Sequence, residues 1–455
     1  MKTATTFVLV LAAGALSIIA PSTAAADRPN IVFIVADDLG RGDLGCYGQE
    51  QIKTPRLDRL AEQGLRFTQA YCGTSVCAPS RCSLMTGLHM GHAPIRANRE
   101  IQPEGQKPLP PGTFTAAKLL KDAGYSTACI GKWGLGMFDT EGSPLKVGFD
   151  HFFGYNCQRH AHSYFPTYLY NDAMRVELDG KTYAQDLIAA DAIDWVRQNK
   201  DRPFFLYYAL TLPHGKFEIP SVEPYADRDW PQSEKIYAAM VTRMDTDIGR
   251  LLDVLTELKL DEKTIVFFVS DNGAAGGIGN VGGHKMEFFN SNGDLRGMKR
   301  SMYEGGLCVP AIVRWPGHAP AGKVSDAPWA FWDFLPTCAE LTGTKLPADA
   351  KFDGLSIVSA LRGQAGPKRD HFYWELHEGG SQQAVRFGDW KAVKTSPTAP
   401  IELYNLATDR TEQQNVAAQH SDVVAKADSL LRQSRIDSPD WPLKAAAARG
   451  KVGKK

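Results

Sequence analysis

Four stretches of the chain are apolar at almost every position, and each runs on into polar residues. Residues 30–36 lead to Asp37-Asp38, residues 126–130 to Gly131-Lys132, residues 203–210 to Pro213-His214, and residues 264–270 to Asp271-Asn272-Gly273. A strand with one wet face alternates; continuous apolarity fits strands covered on both faces, as in parallel sheets. Amphipathic helical patterns lie between them, over residues 56–63, 114–123, 183–199 and 233–258, and the first two stop at Gly64 and Gly124. This alternation predicts an α/β domain with a large, mostly parallel mixed sheet flanked by helices. Ligands in such sheets bind beyond the carboxyl ends of the strands. The polar groups at these four ends are therefore expected to converge.

The pattern changes after about Gly366. Short runs at residues 371–376, 384–387 and 391–394, separated by turn residues, predict a small antiparallel sheet followed by a helix over 421–433. The expected organisation is a principal domain over 27–365 and a C-terminal subdomain over 366–455. The last dozen residues of that subdomain, rich in Ala, Gly and Lys, read as a disordered basic tail. At the other end, Lys2, an apolar stretch over residues 7–20 and Ala24-Ala25-Ala26 have the order of a signal peptide, 1–26. The apolar stretch is short for a bilayer, so the expectation is export to the periplasm or beyond, without stable membrane insertion.

Acidic and basic residues number 51 each, so no global field recruits nucleic acid or a membrane surface. A preference for an anionic substrate has to come from a local cluster. Eight sparsely spaced cysteines, exported, meet an oxidising compartment, and their pairing is not deducible from spacing. An oxidised Cys77 would leave seven, and so at least one free.

The segment most informative about chemistry is Cys77-Ala78-Pro79-Ser80-Arg81, followed by Thr86-Gly87. Pro79 suits the first turn of a helix, which places residue 77 at a helix N-terminus that favours anions. Arg81 adds a permanently charged fork. The same residues also read as a buried structural cysteine before an ordinary helix. Asp37, Asp38, Asp271 and Asn272 form a hard, oxygen-only donor set, which points to calcium ahead of magnesium. Either pair alone reads equally as a strand-end turn. Lys132 and His214 follow strands directly, and Lys299 sits in Gly297-Met298-Lys299. A histidine so placed can protonate a leaving alkoxide. His89, His92, His284 and His318 lack such placement and read as structural.

Taken in order, these segments resemble the formylglycine-dependent type I sulfatases of the alkaline phosphatase superfamily. The matching stretches are residues 29–38, Cys77 to Arg81, Gly131-Lys132-Trp133, Pro213-His214, Ser270 to Gly273, and Gly297 to Lys299 running into Glu304-Gly305-Gly306. Glu402 to Leu406 with Asn415 resembles the family's C-terminal subdomain. The resemblance implies an alkaline phosphatase-like fold and a Cys77 oxidised to formylglycine (3-oxoalanine), whose hydrate attacks sulfur. It implies one calcium ion on Asp37, Asp38, Asp271, Asn272 and the modified residue 77. Arg81 and Lys132 would position and activate the hydrate, Lys299 would bind sulfate oxygens, and His214 would serve the leaving group. A maturation partner follows, either a formylglycine-generating enzyme or an anaerobic sulfatase-maturing enzyme.

One position departs from the family pattern. Many members have a histidine after Gly-Lys-Trp that contacts the formylglycine; here the residue is Gly134, with His160 or His162 as candidate replacements. The aromatic and imidazole-rich stretch from Phe152 to Tyr164, with His377 and the Trp374 region, reads either as a sugar pocket or as core packing. With export, the expected substrate is a sulfated glycan, by subgroup resemblance of the galactose or N-acetylgalactosamine type, bound by His160, His162 and His377. Three alternatives stand beside this, one of them a structural calcium protein, which would not need the Lys132, His214 and Lys299 set; the other two are enzymatic or binding relatives. One is a phosphodiesterase or phosphonate monoester hydrolase, marked by preference for phosphate diesters. The other is an inactive glycan-binding homologue, marked by a residue 77 that stays a thiol.

Overall fold

The computed structural model describes residues 28–102, 104–275 and 283–445. The expected signal peptide and the end of the basic tail lie outside the described residues. Eleven strands form the central sheet: β1 (Asn30–Ala36), β2 (Leu65–Tyr71), β3 (Ser126–Lys132), β4 (His151–Tyr155), β5 (Tyr168–Asn171), β6 (Met174–Glu177), β7 (Phe204–Ala209), β8 (Thr264–Ser270), β9 (Cys308–Arg314), β10 (Lys323–Ser325) and β11 (Trp329–Ala330). Their order is β10-β2-β9-β8-β1-β7-β3-β4-β5-β6, with β11 also on β2. The middle five, β8-β1-β7-β3-β4, are parallel, while β9 runs antiparallel to both β8 and β2. The mixed, mostly parallel sheet expected from the sequence is present.

Period two along β1 explains the layers. Ile31, Phe33 and Val35 point into one core with helices Cys77–Thr86, Ala116–Asp122 and Phe334–Thr342. Val32 and Ile34 point into the other, with helices Pro55–Glu62, Ala184–Asn199 and Gln232–Glu257. Both faces are thus covered, which is why these strands are apolar throughout. The register aligns their ends: Ala36 pairs with Ser270, and Ala209 pairs with both Val35 and Gly131. Asp37, Asp271 and Lys132 therefore leave the sheet at one level.

β9 has no clear strand signature because Pro310 interrupts it. A proline removes a ladder hydrogen bond and is tolerated at a bulge. Pro310 lies where the β2–β9 register shifts, between the pairs Phe67–Ala311 and Ala70–Val309, so the irregularity accommodates the missing donor.

The C-terminal sheet is antiparallel, β12 (Phe372–Leu376), β13 (Gln382–Phe387), β14 (Trp390–Lys394) and β15 (Glu402–Asn405), covered by helix Ser421–Gln433. Three strands and the helix match expectation; β15 lies in the stretch read only as a motif. One face packs Tyr373, Val385 and Leu403 under the helix, and the other sends Phe372, Trp374 and Val393 into the main core. A buried charge network crosses this joint. Lys391 Nζ lies 2.8 Å from Glu304 Oε1 and 3.0 Å from Glu412 Oε1, and Tyr71 donates to Glu304 Oε2 at 2.8 Å. All eight cysteines are free, seven of them buried. Among the described residues no helix is long and apolar enough to cross a membrane.

Candidate active site

The strand ends bring together Asp37 and Asp38 after β1, Lys132 ending β3, His214 beyond β7, and Asp271 with Asn272 after β8. Cys77 opens helix Cys77–Thr86 above them, in extended-to-helical transition after Val76. Lys299 arrives on the loop before β9, its own N–H held by Ala274 O at 3.0 Å. That loop can pass close to β8 because residue 273 is glycine: a Cβ there would lie 1.8 Å from Gly305 O. Asp38 takes a left-handed backbone, φ +64, a conformation that aspartate tolerates and that recurs at functional sites.

Three short buried ion pairs form, and Arg81 Nη2 also lies 3.7 Å from Asp37 Oδ2. Lys132 Nζ is 2.5 Å from Asp37 Oδ2; Lys299 Nζ donates to both oxygens of Asp38 at 2.7 Å; Arg81 donates through Nε and Nη2 to Asp271 Oδ2 at 3.0 and 2.9 Å. Arg81 Nη1 also donates to Lys132 O at 3.0 Å. The sequence offered the Arg81 fork to anionic oxygens; the fold uses it to join Asp271 to the end of β3. Against the upward push of burial, Lys132, His214, Arg81 and Lys299 hold Asp37 far below the usual carboxylate range, and against the same push Lys299 and His214 lower Asp38. Burial, with Asp37 next to it, pushes Asp271 up to about 6. Burial opposes charge on both lysines, but Asp37 and Asp38 keep them protonated.

Cys77 Sγ lies 3.5 Å from Asp37 Oδ1 and 3.5 Å from Lys299 Nζ. Burial, then Asp37, push the thiol up to about 12, so at neutral pH it is not a thiolate nucleophile. On the formylglycine expectation, Sγ marks the place of an oxygen. His214 Nδ1 lies 2.5 Å from Gly215 O, which fixes the proton on Nδ1 and turns Nε2 to Asp38 Oδ2 at 3.4 Å. Burial lowers its pKa to about 4.

Asp37, Asp38, Cys77 and His214 each place one donor atom within 4.8 Å of the others. Asn272 Nδ2 donates to Asp38 Oδ1 at 2.7 Å, while its Oδ1 is buried and has no partner. An unmet buried amide oxygen costs about 1–3 kcal/mol unless something binds it. Two carboxylates of that group and the Asn272 oxygen fit a hard divalent cation such as calcium; Asp271, expected with them, is held by Arg81 through Oδ2 and lies outside the group. A thiol does not belong in such a set; an oxygen at residue 77 does.

The expected substrate residues fall in different places. His162 joins the site, stacked on His214 with ring centroids 4.6 Å apart. His160 stacks on Tyr168 at 4.1 Å, with Nδ1 3.8 Å from Glu104 Oε1. His377 bonds Glu375 Oε1 at 2.9 Å and lines a separate open cavity with Asn98, Arg99 and Trp441. Trp374 is fully buried and donates to Cys72 O at 3.0 Å, so of its two readings core packing holds. His89 and His92 share Asp353, at 3.5 and 2.8 Å, apart from the strand-end cluster. Sequence reasoning missed Gln158. Its Nε2 lies only 2.0 Å from where a Cβ of residue 134 would be, so it occupies the space that Gly134 leaves open.

Comparison with known proteins places this arrangement. Residues 29–344 match the sulfatase family and residues 297–437 match the C-terminal region of N-sulphoglucosamine sulphohydrolase. The chain is 33% identical to an N-acetylgalactosamine-6-sulfatase of Canis lupus familiaris, over 90% of this chain and 79% of that one. It is 34% identical to an arylsulfatase of Hemicentrotus pulcherrimus, over 83% and 70%. The crystal structure of Ps i-CgsB in complex with k-i-k-neocarrahexaose superposes with a TM-score of 0.81 at 30% identity, covering 92% of this chain and 95% of that one. The chain therefore belongs to the sulfatase family, type I enzymes of the alkaline phosphatase superfamily that hydrolyse sulfuric esters.

Proposed function

We propose that this sulfatase acts on sulfated carbohydrates, with a formylglycine made from Cys77 and one calcium ion on Asp37, Asp38, Asp271, Asn272 and the modified residue. The observation that carries the proposal is the charge balance around Cys77. Asp37, Asp38 and Asp271 are already matched by Lys132, Lys299 and Arg81, so a divalent cation makes the pocket strongly electropositive. A buried electropositive pocket selects an anion and stabilises charge that builds on it. When bound, the two groups would supply an oxygen nucleophile and electrophilic stabilisation of the ester.

The chain's own residues do the rest. Lys299, beside both Asp38 and Sγ, stands where an ammonium can donate to a sulfonyl oxygen. Lys132 sets the charge state of Asp37. Arg81 fixes Asp271 and the backbone of Lys132 and acts as a positioning residue. His214, its Nδ1 proton committed to Gly215, presents Nε2 for the proton of the leaving alcohol. An anionic ester beside it raises its proton affinity, which suits a group that must pass a proton to an alkoxide.

The carbohydrate reading rests on the relatives named above, one acting on N-acetylgalactosamine 6-sulfate by its name and one holding a neocarrahexaose. A galactose- or N-acetylgalactosamine-type sulfate is the preferred substrate. Export by residues 1–26 and maturation by a formylglycine-generating or anaerobic sulfatase-maturing enzyme complete the proposal.

The test is the mass of the peptide containing residue 77, from a host with a maturation enzyme. Conversion of thiol to aldehyde lowers it by about 18 Da. That species, with sulfate released from a sulfated-sugar panel faster than phosphate diesters are cleaved, is the expected result. A residual thiol with no turnover would favour the glycan-binding reading, and faster diester cleavage the phosphodiesterase reading.

A further inference from the structure

Gln158 lies on the loop after β4 and is 8% exposed. Both its Oε1 and its Nε2 are buried without a hydrogen-bond partner. A buried carboxamide with nothing to bond is disfavoured unless a ligand completes it. Nε2 rests against Gly134, which has φ +83 and no Cβ to collide with it. Gly134 is two residues beyond Lys132, whose ammonium sits on Asp37. The same loop continues to His162, stacked on His214. The loop that carries Gln158 is thus tied to the end of β3, through Gly134 N–H on Asn156 O at 3.1 Å, and leads to the leaving-group histidine.

Its neighbour on the loop repeats the pattern. His160 has both ring nitrogens buried, beside the Tyr168 backbone and with Glu104 Oε1 3.8 Å away, beyond hydrogen-bond length. The groups on this stretch are an amide, an imidazole and a carboxylate oxygen. They offer donors and acceptors together and include no lysine or arginine. A sulfate group, which only accepts, is recognised by donors and cations. Ring hydroxyls both donate and accept.

We propose that Gln158 binds the leaving alcohol, through hydrogen bonds between its carboxamide and ring hydroxyls of the sugar that carries the sulfate. This rests on the carbohydrate reading above and extends it to a named residue. Gly134, which its left-handed backbone already favours as glycine, also leaves the space that this side chain fills.

The test replaces Gln158 by Leu, of similar size and without polar atoms, and measures thermal stability together with kcat and KM on sulfated galactose, sulfated N-acetylgalactosamine and 4-nitrophenyl sulfate. The Kd for the sugar sulfates is measured in parallel in a Cys77→Ser background, which requires no maturation. The expected result is unchanged or higher stability, kcat/KM on the sugar sulfates reduced by about tenfold or more, a matching rise in Kd, and a loss on 4-nitrophenyl sulfate at least ten times smaller. Equal losses on sugar and aryl sulfates would overturn the assignment to the leaving alcohol. A folded variant with sugar kcat/KM and Kd unchanged would overturn any binding role. Gln158→Met serves the same comparison should the Leu variant fold poorly. If the matured wild type turns over the aryl ester but no sulfated sugar, the carbohydrate reading fails and this proposal with it; wild-type sugar turnover with an indifferent variant removes this proposal alone.

Discussion

Two buried charge clusters, one at the joint with the C-terminal sheet and one around Cys77, are wired differently. At the joint with the C-terminal sheet, Lys391 is shared by Glu304 and Glu412, Glu304 also accepts from Tyr71, and Tyr71 accepts from Arg386 at 2.5 Å. Every charge there has a partner on another element, so the network ties the two sheets together. Around Cys77 each carboxylate has one short cation partner, with Arg81 Nη2 also 3.7 Å from Asp37 Oδ2, and Lys299 ends beside the thiol. The first cluster is closed; the second leaves room for an added cation and an added anion. Burial alone therefore does not mark a functional site; the free oxygen of Asn272 beside paired carboxylates, with Cys77 next to Lys299, is the distinguishing feature here.

This difference can be broken or sharpened by experiment. The largest expected effect is in the open cluster: Cys77→Ala should lower kcat on the order of 10⁴-fold or more, as loss of a nucleophile does, with the unfolding midpoint hardly moved. Measured turnover within tenfold of wild type would remove Cys77 from the chemistry. Next, Lys391→Met leaves Glu304 and Glu412 without their shared cation and should cost about 3–5 kcal/mol in denaturant unfolding. Its kcat, normalised to folded protein, should stay within about threefold if the joint only holds the two sheets together. A large kcat loss at full stability would mean that the two clusters are coupled.

Calcium comes third. At a hundred times its Kd it should stabilise the protein by about 2.7 kcal/mol, read as a rise in melting temperature that chelator reverses and Asp38→Asn abolishes. The same ion should do nothing to rescue Lys391→Met beyond this increment. The smallest effect concerns pH. Burial, opposed by Lys391 and aided by Glu304, pushes Glu412 up from 4.5 to about 7. A carboxyl that binds its proton more tightly when folded contributes fully below about pH 4.5, and that contribution is lost as pH rises through about 7. Glu412→Gln should lack this decline, gaining about 1–2 °C on wild type between those limits. Parallel pH profiles of the two proteins would show that Glu412 does not titrate there.

The sequence made legible what depends on local pattern. Continuous apolarity marked β1, β3, β7 and β8, and their polar ends marked Asp37, Lys132, His214 and Asp271, because strand direction alone aligns them. β9 was hidden by Pro310, whose cost is met by an irregularity in β2 that is far off in the chain. The partner of Arg81 was hidden for a related reason: Asp271 is 190 residues away, and a guanidinium gives no sign of which carboxylate it will hold. Gln158 carried no signal of its own. The one trace was Gly134, a missing side chain whose vacated volume became meaningful only when another residue filled it.

Cys77, 3% exposed beneath the loop that carries Lys299, has a consequence for the order of events in the life of the protein. A small ester can reach such a depth, but the catalytic groups of a second protein cannot. On the proposed reading, the oxidation of this side chain belongs to the chain before it has folded. Folding then acts as a deadline, and a molecule that closes around an unconverted thiol is a finished but idle product that later exposure to the maturation enzyme does not repair.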